Sequence, residues 1–212
     1  MSQLQTAYSK LANYLFTPVD QIDTGWLKQW LAPFKGVAHQ VELSQLARRW
    51  IQKAHEHESL RAPIDTPDLK PDELWLISDI EIQKELARFL GETSCASHVR
   101  RVIDRSGIDR LRDQLGLDTH RDILFGPNLE VKGICTDVFM AHLDSDLCDF
   151  LTSVGIGLLE STLSPENTFG HMRMRYAFSP KAWEKRFSGL SCDKTELNTL
   201  ILDFVTKKTH GV

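Results

Sequence analysis

The sequence predicts a mainly α fold, a compact multi-helix single domain, on three observations. Apolar residues recur at spacings of three and four along most of the chain. Ser, Thr and Asp that start helices, and Gly that ends them, punctuate it at short intervals. Period-two alternation, the mark of a strand, is confined to one segment near 170–178. With 212 residues, 42% of them hydrophobic and 25% charged, the chain is long and apolar enough to bury a shared core.

Taken in order, Leu4, Tyr8, Leu11 and Leu15 predict a short amphipathic helix, broken at Pro18. Asp23 or Thr24 caps a second helix carrying Trp26, Leu27, Trp30 and Leu31 on one side and ended near Pro33 and Gly36. A third runs from about Val41 to Glu58, with Leu43, Leu46, Ala47, Trp50, Ile51 and Ala54 as its apolar stripe. Three of the eight prolines fall between Pro63 and Pro71, which reads as an extended connection. The expected organisation is therefore an N-terminal helical part, 1–62, a Pro-rich connection, 63–71, and a main helical part, 72–212, sharing one core.

Beyond the connection, Asp72 is expected to cap a strongly apolar central helix closed by Gly91 at the left-handed C′ position. Short helices follow, opened by Ser94, by Ser106 with Asp109, and by Thr119 with Asp122; Gly116 and Gly126 close the last two. Val131, Ile134, Cys135, Val138, Phe139 and His142 predict the next, and Asp144 caps an apolar one to about Ser161. Ser164–Pro165 is a break. In His171–Phe178, Met172, Met174, Tyr176 and Phe178 alternate with His171, Arg173 and Arg175, which leaves one short strand or hairpin open beside a helix. Ser179–Pro180 opens a helix through Trp183 and Phe187, and Asp193 with Glu196 opens the last.

The net charge of −4, from 25 Lys+Arg against 29 Asp+Glu, argues against nucleic acid as a partner, since duplex binding wants a basic excess. The opening residues carry no signal-like apolar block and no apolar run is of bilayer length, so a cytoplasmic protein without direct membrane insertion is expected. Catalytic and metal signatures are missing. His55 and His57 lie two apart, whereas a zinc helix needs histidines four apart. Cys95, Cys135, Cys148 and Cys192 are widely spaced, with no CxxC pair, and read as reduced core thiols. Gly155–Gly157 is a lone GxG without a preceding strand. The expectation is a non-enzyme with no cofactor, catalytic residue or metal. Two arginine-bearing segments are candidate partner surfaces: Arg100, Arg101 and Arg105, with Arg110 and Arg112, interleaved with Asp104, Asp109 and Asp113, and Arg173 and Arg175 beside Lys181, Lys185 and Arg186. Their bland alternative is solvated helix charge, with Arg100–Asp104 as an i,i+4 pair.

Residues 85–126 place Leu90-Gly91 before a Val99-Arg100-Arg101-Val102-Ile103-Asp104 run, then Leu111-Arg112-Asp113-Gln114-Leu115-Gly116. This stretch, together with the opening YLFTPVDQIDTGWL, resembles the OrgA/MxiK/YscK family, the SctK components of bacterial type III secretion injectisomes. The resemblance implies an adaptor at the cytoplasmic face of the injectisome. It would join the sorting-platform pod protein (SctQ-like) to the cytoplasmic domain of the inner-membrane ring protein (SctD-like), with no cofactor. A small thiol-dependent enzyme and a secretion chaperone or regulator that binds an exported substrate are the alternatives.

Overall fold

The computed structural model describes residues 22–32, 73, 75, 76 and 78–210. The helices expected over 4–15 and 41–58, and the connection at 63–71, lie outside these residues. The described chain is mainly helical: α1 Thr24–Leu31, α2 Ile80–Arg101, α3 Arg105–Leu115, α4 Leu117–Phe125, β1 Val131–Lys132, α5 Thr136–Leu143, α6 Leu147–Thr162, α7 Thr168–Ala177, α8 Pro180–Glu184, β2 Ser191–Cys192 and α9 Lys194–His210. Among the described residues no helix is long and apolar enough to cross a membrane. The chain divides into two compact units, Met1–Gln83 with Pro165–Pro180, and Lys84–Ser164 with Lys181–Val212.

In the first unit α1 is tied to α7 through a tryptophan. Asp23 caps α1, its carboxylate accepting from the Gly25 amide at 2.8 Å. The Asp23 amide donates to the Tyr176 carbonyl at 2.7 Å. Trp26 is buried, its indole N–H donating to the Phe178 carbonyl at 2.7 Å, and its ring meets the Tyr176 ring edge-on at 5.7 Å.

The segment for which alternation left strand and helix open is the helix α7, capped by Asn167, whose side chain accepts from the Gly170 amide at 2.7 Å. No strand runs through 170–178. The physical reason is Arg173. It is 2% exposed, so the buried set is Gly170, Arg173, Met174 and Ala177, which has helical spacing. Scored as polar, that arginine turns a helical face into an apparent alternation.

In the second unit α2 and α6 cross closely. Gly91 faces the Leu151 backbone and Gly155 faces the Ala87 backbone, so that a Cβ at either glycine would collide with a carbonyl of the opposite helix. Gly91 therefore does not end a helix. It sits inside α2, which begins at Ile80 rather than Asp72 and continues to Arg101, and Ser94, expected as a cap, donates from its hydroxyl to the Gly91 carbonyl at 2.9 Å. The side chains at this crossing, among them Leu86, Leu90, Leu151, Val154 and Leu158, are fully buried.

The remaining element starts differ by a few residues from expectation. Asp104, not Ser106, caps α3, accepting from the Gly107 amide at 2.7 Å. α4 starts at Leu117 straight after Gly116, whose φ of +82° closes α3. α6 follows Asp146, not Asp144. Val131 falls in β1, outside α5, and the two-stranded antiparallel sheet pairs Val131 with Cys192 and Lys132 with Ser191. Two residues per strand give no readable alternation, so both were invisible to a period-two search. Asp193 caps α9 as expected, accepting from the Thr195 and Glu196 amides at 2.8 and 3.1 Å.

Candidate partner-binding surface

The five candidate arginines divide between the two units. Arg173 belongs to the interior of the first unit: its Nε donates to the Leu76 carbonyl at 2.9 Å and its Nη2 to the Ser78 carbonyl at 3.3 Å. The buried Gln83 amide donates to the same two carbonyls, at 3.1 and 2.9 Å. Both side chains thus hold the turn before α2, and Arg173 is a structural arginine rather than a partner contact. Arg175 is exposed in the same unit, its guanidinium lying over the rings of Trp26 and Tyr176 at 5.1 and 5.8 Å.

Arg100, Arg101 and Arg105 lie in the second unit, around the junction of α2, α3 and α4. Arg100 builds this junction. Its Nε donates to the Leu124 carbonyl at 3.0 Å, and its Nη2 donates to those of Ile123 and Gly126 at 3.1 and 2.8 Å. Those carbonyls close α4, where intrahelical donors run out and the helix dipole is negative. The spacing-based Arg100–Asp104 pair gives way to these bonds, while Asp104 is turned to its own cap. Arg101 is exposed, and the Arg105 side chain is 97% exposed with Asp109 4.0 Å away.

Two bulky apolar side chains flank these arginines. Ile103 is 85% exposed in the link between α2 and α3, and Phe125 is 84% exposed at the end of α4. Because Arg100 grips the carbonyls on either side of Phe125, the backbone at Phe125 is held to the last turn of α2, and Arg100 itself stands three residues before Ile103. The other large exposed apolar residues among those described are Leu117 and Leu202. Soluble proteins expose such side chains singly as a matter of course, but grouped with arginine they mark contact surfaces.

A groove leads away from Phe125. One depression of about 440 Å³ is lined by Phe125, Ile123, Gly126, Pro127, Glu92 and Phe89 with neighbours. Phe89 and Pro127 also line a second of about 820 Å³, with Leu200, Phe204, Asp203, Lys207 and Lys208 of α9. The Phe89 and Phe204 rings stack at 5.0 Å on its floor. The lining is chiefly apolar, with one acid whose proton affinity is disturbed: burial raises the pKa of Glu92 although the Arg88 guanidinium opposes it.

Elsewhere the chemistry-bearing groups are dispersed. Among the described residues no cluster of three His, Cys, Asp or Glu side chains has the geometry of a metal site. Burial pushes the Cys95 thiol up to about 12. Cys192 is also raised, by burial and then by Asp193 and Glu196. Cys148 donates to the Gln114 carbonyl at 3.1 Å, and Cys135 is exposed. Burial lowers the pKa of His98 and His120, with Arg101 and Arg112 adding to it. Gly155 and Gly157, which read as a fragment of a phosphate loop, are packing positions in α6, Gly157 lying against the Phe187 carbonyl.

Sequence reasoning found the arginines and missed Ile103, Phe125 and the groove. A signal for the first two was present: Ile103 stands next to the capping Asp104, and Phe125 falls beside the Gly126 stop, so neither continues the stripe of its helix. The groove joins α2 to α9 across more than a hundred residues, which local periodicity does not encode. No family model matches the sequence, and no curated protein and no solved structure matches it either.

Proposed function

We propose that this chain is a cytoplasmic adaptor of a bacterial type III secretion injectisome. It would link the sorting-platform pod protein (SctQ-like) to the cytoplasmic domain of the inner-membrane ring protein (SctD-like), peripheral to the membrane. One observation carries the reading. The stretch that resembles the SctK components, 85–126, is also where Ile103, Leu117 and Phe125 stand exposed, with Arg101 and Arg105 near the first. Exposed aromatic and aliphatic side chains beside arginine are the composition of an interface core. The apolar groove continuing to Phe204 adds contact area of the kind a partner helix fills.

Co-purification with the pod protein and with the ring protein's cytoplasmic domain, followed by light scattering, tests this. A complex of defined mass with both partners is expected. Well-folded protein that binds neither would end the adaptor reading.

A further inference from the structure

The end of the second unit around Arg100 combines three properties. It is apolar, through Ile103 and Phe125, each more than four-fifths exposed. It is rigid, because the Phe125 end of α4 is bolted to α2 by the three Arg100 bonds. It also carries positive charge left over after local pairing. Arg101 has no ion pair among the described residues, and Arg105 has Asp109 only at 4.0 Å. Of the nearby acids, Asp104 is turned to the cap of α3 and Asp109 faces Arg105. Asp118 and Asp122 both face Arg121, at 3.3 and 3.8 Å, which leaves Arg101 without an acidic neighbour of its own among the described residues.

We infer that Ile103 and Phe125, flanked by Arg101 and Arg105, receive an acidic segment of a partner protein that carries a bulky apolar side chain. The apolar residue of the segment packs between Ile103 and Phe125. Its carboxylates meet the guanidinium groups of Arg101, which has no ion pair among the described residues, and Arg105, which faces Asp109 only at 4.0 Å. A guanidinium fork suits a carboxylate because two parallel N–H···O bonds form at once. Preorganisation by Arg100 means the surface loses little freedom when it is filled. The partner's identity rests on the adaptor reading, whereas its chemistry rests on these side chains.

The test is selection from a randomised peptide library against the full chain, followed by affinity measurement on the enriched peptides. Enrichment of Asp and Glu around a Leu, Ile or Phe is expected. Affinity should fall at least tenfold in Phe125→Ser and in the double variant Arg101→Glu/Arg105→Glu, and should weaken as salt rises. Leu202→Ser, an exposed apolar position on α9, should bind as the parent does. Peptides without acidic residues, or affinity unchanged in both variants, would overturn the inference. So would concentration-dependent dimerisation abolished by Ile103→Ser, which would make this face a contact between copies. Acidic peptides that bind here while the pod and ring proteins do not would sink the adaptor reading and leave this inference standing.

Discussion

Gly91 and Gly155 bear on how a single residue type serves opposite ends. A glycine after an apolar run reads as a helix stop, because it alone enters the left-handed region without cost. Gly116 does this, with φ +82°. Gly91 does the reverse, staying helical so that α2 and α6 can approach backbone to backbone. Local sequence cannot separate the two uses, since the partner helix lies sixty residues downstream. Replacing Gly91 by Ala gains helix propensity, about 1 kcal/mol in an exposed helix. Here the added methyl would meet the Leu151 carbonyl, which belongs to rigid backbone and cannot move aside like a side-chain tip. The net expectation is destabilisation by roughly 3 kcal/mol, read as a lowered urea midpoint. A midpoint equal to or above that of the parent would refute the close crossing.

At the scale of elements, the legible features were those written in adjacent residues. Asp193 caps α9 and Gly116 closes α3 where the sequence placed them. Asp104 displaced Ser106 because its carboxylate reaches the Gly107 amide while Ser106 already lies within the first turn. The arginines were legible as arginines, but not by role. Arg173 fills a helical face and bonds carbonyls inside the first unit, whereas Arg100 closes α4 from a different helix. Nothing in residue type distinguishes a guanidinium aimed at carbonyls from one aimed at solvent. The consequence for α4 is measurable. Arg100→Ala should cost about 1–2 kcal/mol and raise amide exchange selectively over Leu117–Phe125. Arg100→Lys should restore part of the loss, because an ammonium on one stem cannot span three carbonyls as the fork does. Uniform exchange across α3 and α4 in Arg100→Ala would contradict the anchoring role.

For the whole molecule, fold class was legible because helix class needs only period and punctuation, and both run along nearly the entire chain. Tertiary ties joining distant segments were not. One such tie is Asp146, between α5 and α6. It accepts from His142 at 2.7 Å and from the Ser145 hydroxyl at 2.9 Å, and faces Lys185 at 3.7 Å across a gap of nearly forty residues. The His142 ring stacks on Phe150 at 4.4 Å, fixing the geometry of the pair. The hydrogen bond from His142, then that from Ser145, holds the Asp146 carboxyl below the usual carboxylate range. A folded-state pKa below the unfolded one stabilises the fold fully above the ordinary aspartate value, and the contribution is lost as pH falls toward the folded value. Glu92 acts with the opposite sign and in a higher window, since its raised pKa favours the folded chain only while it stays protonated. The two are therefore separable along one titration. In Asp146→Asn the stability profile should flatten below about pH 4, leaving the higher window as in the parent. Since Asp146 is about a third exposed, solvent screening keeps the change small, and low ionic strength will show it best. An acid limb of unchanged slope in Asp146→Asn would mean that other carboxylates govern acid unfolding and that this tie contributes nothing to it.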